Sequence, residues 1–245
     1  MKVTTFYYFE IEDEDGIKKY GKNKEHRPNP IVQMVMFMDG DGIPLAFSLF
    51  PGNANEQTSI KPLEEKILNE FDCQKFIYCS DAGLGSEKIR KYNHMGERAF
   101  VVTQSIKKLN AQDRQWALDT KGFKRLSDDK VVDLSEISKD DEAIYYKDAP
   151  YTPKDLSQRL IITYSPKYAK YQKTIREKQV DRAKLMLEKG SIKKERRNPN
   201  DPAGFISSLA VTDDGEKANV HNFLNTDKID EETKYDGMYA VSTDL

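Results

Sequence analysis

The sequence predicts an α/β fold, and three observations carry that expectation. Three strand-like segments follow one another at residues 3–12, 31–38 and 43–50. Apolar residues then switch to helical spacing at Ile60, Leu63, Ile67, Leu68 and Phe71. From there to residue 103 short strands and helices alternate.

Each element has a local reason. Residues 3–12 are rich in Thr, Phe, Tyr and Ile, which suit a pleated strand. Residues 13–29 are charged, contain Gly16, Gly21 and Pro28, and read as a connection. Residues 31–38 are almost continuously apolar, as in a strand buried on both faces. Asp39-Gly40-Asp41-Gly42 is a hairpin turn signal. Residues 43–50 form the return strand, with Pro44 near its start, and Pro51-Gly52-Asn53 ends it. The helix that begins near Ile60 tolerates Pro62 because it falls in the first turn. Residues 75–80 form a short strand that delivers Asp81-Ala82-Gly83. Ser86 is placed to cap a helix with Ile89, Tyr92 and Met95 on its apolar face, stopped near Gly96. Residues 99–103 are another strand, giving the order β-β-β-α-β-α-β.

Past Ser105 the pattern loosens. Residues 106–160 mix strand-like pieces at 130–134 and 143–146 with a run of acids, and 159–164 is a strand. Tyr168, Tyr171, Ile175, Ala183 and Met186 predict one face of a long helix that ends at Gly190. Residues 198–204 are a Pro/Asn loop, and 205–212 and 238–243 read as strands. A chain of 245 residues suits one large domain, or one domain with a sizeable insertion. The expected division is a core over 1–105, an insertion over 106–234 and a return strand over 235–245.

Composition narrows the function classes. Charged residues are 33% and apolar residues 38%, polar for a globular protein but not disordered. No apolar run approaches the roughly 18 residues of a membrane span, and residues 1–12 do not fit a signal peptide. Cys73 and Cys79 make neither a disulfide scaffold nor a zinc motif, so a reduced, cytoplasmic protein is the expectation. His26, His94 and His221 form no His-x-x-x-His pair. Formal charge is −2, but residues 166–197 hold twelve Lys/Arg against four Asp/Glu. That local +8 leaves −10 for the remainder. Lys173, Arg176, Lys178, Lys193, Lys194, Arg196 and Arg197 are therefore candidates for contacts to a phosphate backbone. The alternative is a solvated helix laced with Glu/Lys pairs.

Asp81 is the candidate for chemistry, because it stands where an apolar strand ends and a Gly-containing turn begins. Ligands collect at the carboxyl ends of parallel strands in α/β folds. An aspartate that only closes an Asx-turn is the alternative. Asp39 and Asp41 read as turn residues, and His26 as a loop histidine with DNA contact as the other option. No phosphate-binding glycine loop and no Gly-x-Ser-x-Gly elbow occurs.

Several segments together resemble a known family. They are Val3-Thr4-Thr5-Phe6-Tyr7, Lys24-Glu25-His26-Arg27-Pro28, Phe50-Pro51-Gly52-Asn53 on to Glu56, and Tyr78-Cys79-Ser80-Asp81-Ala82-Gly83. Residues 159–187 and Asp236-Gly237-Met238-Tyr239-Ala240-Val241 extend the likeness. In order and spacing they resemble the catalytic domain of bacterial insertion-sequence transposases of the Asp-Asp-Glu class, in the IS-four-like group with a β-rich insertion. The resemblance implies a ribonuclease-H-like fold, with strand four beside strand one. It implies cleavage and joining of transposon-end DNA with two Mg²⁺ ions, a DNA target and a homodimer in the full-length protein. It makes Asp81 a Mg²⁺ ligand and Arg27 a further DNA contact. The family's first aspartate falls at position 2, which here is Lys2, and its glutamate falls beyond the last strand. One of three expected ligands is present, so the expectation is a fragment that is catalytically inactive as this chain. Two other readings stay open: a DNA-binding remnant or partner-binding regulator, and an unrelated phosphohydrolase with Asp81 as nucleophile.

Overall fold

A computed structural model describes residues 2–8, 14–21, 29–39, 41–55, 60–71, 75–190, 192, 201–211 and 219–245. Among them the chain is mixed α/β, with twelve strands and five α-helices. It divides into two compact units: 1–108 with 148–161 and 240–245, and 109–147 with 162–239. The stretch expected as one insertion over 106–234 thus returns residues 148–161 to the first unit.

The first unit begins with β1 (Lys2–Tyr8), β2 (Ile31–Met38) and β3 (Pro44–Pro51), antiparallel in the order β1-β2-β3. The β2–β3 turn uses Asp39 as expected: its Oδ1 accepts the N–H groups of Asp41 and Ile43 at 2.9 and 2.8 Å. Gly52 follows β3 where a Cβ would lie 2.2 Å from the Ile31 carbonyl oxygen, so only glycine lets these backbones meet. Next come α1 (Ile60–Glu70), β4 (Phe76–Ser80), α2 (Glu87–Asn93) and β5 (Arg98–Thr103). β4 and β5 are parallel, and α2 is the right kind of crossover between them.

The core of this unit gathers Val35 and Phe37 of β2, Leu63 and Ile67 of α1, Tyr78 of β4, Ile89 of α2, and Phe100 and Val102 of β5. Leu63 and Ile67 are the expected buried face of α1, whereas Phe71 is exposed. Inside the same core Glu64 is buried and accepts from the Asn93 amide at 3.3 and 3.4 Å. That polar pair has no signature in the apolar pattern. Along the strands the alternation is one-sided: Leu45, Phe47 and Leu49 of β3 and Ile77 of β4 are exposed, opposite the α1/α2 face.

The second unit starts with α3 (Ala111–Leu118), capped by Asn110, whose Oδ1 accepts the Asp113 N–H at 2.8 Å. Strands β6 (Phe123–Arg125) and β7 (Val131–Val132) follow, while β8 (Tyr145–Tyr151) and β9 (Gln158–Tyr164) each run across the division, at 147/148 and 161/162. The long helix α4 (Pro166–Glu188) begins at Ser165, whose Oγ accepts the Tyr168 N–H, and ends before Gly190, at φ +63°. β10 (Ile206–Val211) and β11 (Asn219–Leu224) form an antiparallel pair, then α5 (Thr226–Thr233) leads to β12 (Met238–Thr243). A large mixed sheet has the order β4-β5-β12-β9-β8-β6-β7, with β12 antiparallel to β5.

The expected face of α4 holds in its second half, where Ala183 is buried and Met186 packs against the same core, and fails in its first half. Pro166 and Ala183 are buried, and Ala169, Gln172 and Arg176 lie on that same side, while Tyr168, Tyr171 and Ile175 are exposed. The cause is chemical. Gln172 Oε1 accepts the Gly237 N–H at 2.7 Å, and Arg176 binds Asp236, so polar side chains with fixed partners occupy the inner face.

Candidate functional site

Asp81 stands at the carboxyl end of β4, one residue past Ser80, which pairs with Val102 of β5. Its Oδ1 accepts the N–H groups of Gly83 and Leu84 at 3.0 and 3.2 Å, and its own carbonyl accepts the Leu84 N–H at 3.3 Å. This is an Asx-turn, so the structural role weighed for this residue is present. The Oδ2 oxygen makes no hydrogen bond among the described residues.

The loop behind it is fixed from below. The Tyr78 hydroxyl donates to the Leu84 carbonyl at 3.1 Å, and burial pushes that phenol well above its ordinary pKa, so it is a donor at every working pH. Arg90 Nε donates to the Gly85 carbonyl at 2.8 Å. Its other nitrogens reach Gln158 Oε1 at 3.1 Å and Gln104 Oε1 at 2.9 Å, and Ser242 Oγ donates to the same Gln158 oxygen. A Cβ on Gly85 would lie 3.1 Å from Val102 Cβ. The loop therefore presents one carboxylate on a stiff backbone. Ser86 takes the N-cap position of α2 as expected but makes no side-chain capping bond.

The remaining sequence-derived residues fall in different places. Lys173, Arg176 and Lys178 belong to the second unit, on α4. Lys178 is exposed, and Lys173 lies 3.7 Å from Glu177. Arg176 differs, because both terminal nitrogens are engaged by Asp236 at 2.5 and 2.6 Å, which leaves no free fork for a phosphate. His26, Arg27, Lys193, Lys194, Arg196 and Arg197 lie outside the described residues.

A metal site was tested on the donors themselves. Mg²⁺ prefers six oxygens in an octahedron, and a two-ion centre needs several carboxylates close together. Among the described residues no group of three or more His, Cys, Asp or Glu could hold a metal. Asp81 gives one of its oxygens to the backbone, and the buried Glu64 is committed to Asn93. The described residues do not fit a two-Mg²⁺ centre.

Substitutions separate the two roles of Asp81. Asp81→Ala should cost about 1 kcal/mol through the lost turn bonds, whereas Asp81→Asn keeps an oxygen acceptor and should leave the thermal midpoint unchanged. Equal losses for both would mean that the charge, not the turn, holds the loop.

No helix among the described residues is long and apolar enough to cross a membrane. No protein-family profile, curated protein or solved structure matches the chain.

Proposed function

We propose that this chain is a ribonuclease-H-like core of the insertion-sequence transposase class, acting on DNA but carrying one of the acids that strand cleavage needs. The observation that supports it most is the order of strands around Asp81. The first sheet runs β3-β2-β1 and the large sheet begins β4-β5. β1 and β4 are thus end strands of their sheets. Set edge to edge they read 3-2-1-4-5, the order the fold reading requires, with Asp81 leaving the carboxyl end of β4, the strand that would then lie beside β1. The β1–β4 ladder itself is not formed among the described residues, and β4 bonds to β5 alone. A shared core and the packing of Phe37 of β2 on Phe76 of β4, ring centroids 6.1 Å apart, support the same arrangement through side chains. The exposed apolar row Leu45, Phe47, Leu49 and Ile77 fits a sheet built to carry helices on both faces.

A single carboxylate on a stiff loop can hold one hydrated divalent ion weakly. It cannot place a second ion to stabilise the leaving oxygen. Loss of one positioned stabiliser alone commonly costs about 10²–10³ in rate, so the chain should not nick supercoiled plasmid in Mg²⁺ or Mn²⁺. Paramagnetic Mn²⁺ should broaden the Gly83 amide resonance, and Asp81→Asn should abolish the broadening. Metal-dependent nicking that vanishes in Asp81→Asn would mean that other carboxylates complete the site. Broadening that persists in Asp81→Asn would remove Asp81 from the reading.

A further inference from the structure

Helix α4 is divided into three faces, and one of them has no role in the fold. The inner face carries the buried side chains that hold the second unit together. A second face carries Lys170, Lys173, Glu177, Asp181, Lys184 and Glu188, exposed and of mixed sign, with pairs at 3.7 Å (Lys173–Glu177) and 3.4 Å (Lys184–Asp181). At 3.6 residues per turn the third face is Lys167, Tyr168, Tyr171, Ile175, Lys178, Arg182, Leu185 and Lys189. All eight side chains are exposed, four are cationic, and every acid of the helix lies elsewhere.

The aromatic pair on this face is unusual for an outer surface. Tyr168 and Tyr171 are 42% and 60% exposed, with ring centroids 6.2 Å apart and planes at 21°. Two near-parallel rings with cations before and after them form a flat apolar step on a positive strip. From Lys167 to Lys189 the strip is about 33 Å long at 1.5 Å per residue. A polyanion with flat apolar faces complements it. Duplex DNA offers the charge but hides its bases. A single strand offers both, and base–aromatic stacking is tolerant of sequence.

We propose that this face of α4 binds single-stranded nucleic acid, with Tyr171 and Tyr168 stacking on a base and Lys167, Lys178, Arg182 and Lys189 contacting phosphates. The inference deepens the DNA-acting reading but does not pass through Asp81 or a metal, and α4 lies wholly within one unit.

The test is fluorescence anisotropy of the full chain with a labelled thymidine 20-mer, the same oligomer with abasic positions, and a duplex of equal length. Tyr168→Ala with Tyr171→Ala should weaken binding of the 20-mer roughly 5- to 150-fold per stacked base. The double Phe variant should restore it, and duplex binding should change by less than about twofold, since duplex bases are not available to stack. The abasic oligomer should bind the native chain as weakly as the 20-mer binds the Ala variant. Lys178→Gln with Arg182→Gln should flatten the dependence on log salt by about 0.7 per lost phosphate contact. Asp81→Asn should leave all of this unchanged, so this inference and the metal reading are judged separately. Equal binding of abasic and normal oligomers, or an Ala variant that binds as the native chain does, would overturn the proposal. So would loss of binding to phosphatidylserine vesicles in the Ala variant with oligomer binding intact, which would assign the face to a membrane surface.

Discussion

Arg176→Leu should destabilise the second unit by about 3–5 kcal/mol, the usual cost of leaving one partner of a buried ion pair alone. The side chains of Arg176 and Asp236 are 11% and 17% exposed, and the fork is bidentate at 2.5 and 2.6 Å. Asp236 stands just before Gly237, at φ +75°, whose N–H reaches Gln172 and whose carbonyl accepts the Ser165 N–H at 3.1 Å. The turn entering β12 is therefore docked onto α4 and its cap by four hydrogen bonds, two of them the ion pair, which is the strongest contact. Without the guanidinium, Asp236 keeps its desolvation cost and loses its partner. Urea unfolding can be followed by Trp116, the single tryptophan of the chain and a member of this unit. Arg176→Leu with Asp236→Leu should recover most of the loss, because a buried pair is worth little net against an apolar replacement. If the double variant is as unstable as the two single losses added, the pair does not act as a unit.

The same pair shows where the sequence stops being legible. Period-2 and period-3.6 patterns report apolar burial, and the first unit is built from it: residues 31–38 are β2, and Leu63 and Ile67 face the core. In the second unit the inner face of α4 is held by Gln172 and Arg176, whose partners lie 65 and 60 residues away. A pattern of apolar residues then finds Ala183 and Met186, which do face the core, but adds Tyr168, Tyr171 and Ile175, which are exposed. Helices α3 and α5 escape the apolar pattern for a related reason. Each buries little, and each is announced by an asparagine cap, Asn110 and Asn225, rather than by periodicity.

The site divides in the same way. That Asp81 ends a strand and starts a turn was legible, because a short apolar run followed by Asp-Ala-Gly has few other conformations. The clamp around it was not. Tyr78, Arg90, Gln104, Gln158 and Ser242 come from five separate segments and share no local motif. The run β4-β5-β12-β9 in the large sheet assembles them.

Lys147→Ala should be the second large loss, about 3–5 kcal/mol at pH 7, from an orphaned Asp119 carbonyl, a Trp116 carbonyl left with one long backbone bond, and an unfilled cavity. Lys147 lies on β8 and is 4% exposed. Its Nζ donates to the carbonyl oxygens of Trp116 and Asp119 at 2.6 and 2.5 Å at the end of α3, where the Trp116 carbonyl also accepts the Asp119 N–H at 3.3 Å. The ammonium also lies 4.9 Å from the Trp116 ring and 4.5 Å from the Phe123 ring. Burial pulls its pKa from the ordinary 10.5 down to about 8. Between those two values the unfolded chain holds a proton that the folded chain has released. Stability therefore rises with pH across that window, by up to about 3 kcal/mol from this group. The neutral amine still donates to the two carbonyls, so the bonds survive the loss of charge. Lys147→Met removes the titration but keeps the volume. The stability difference between the native chain and Lys147→Met, read by Trp116 fluorescence in urea at pH 7, 8, 9 and 10, should be flat up to about 8 and then widen. A difference that stays constant to pH 10 would show that the amine titrates as it does in water, and that the two carbonyls and two rings offset its burial in full.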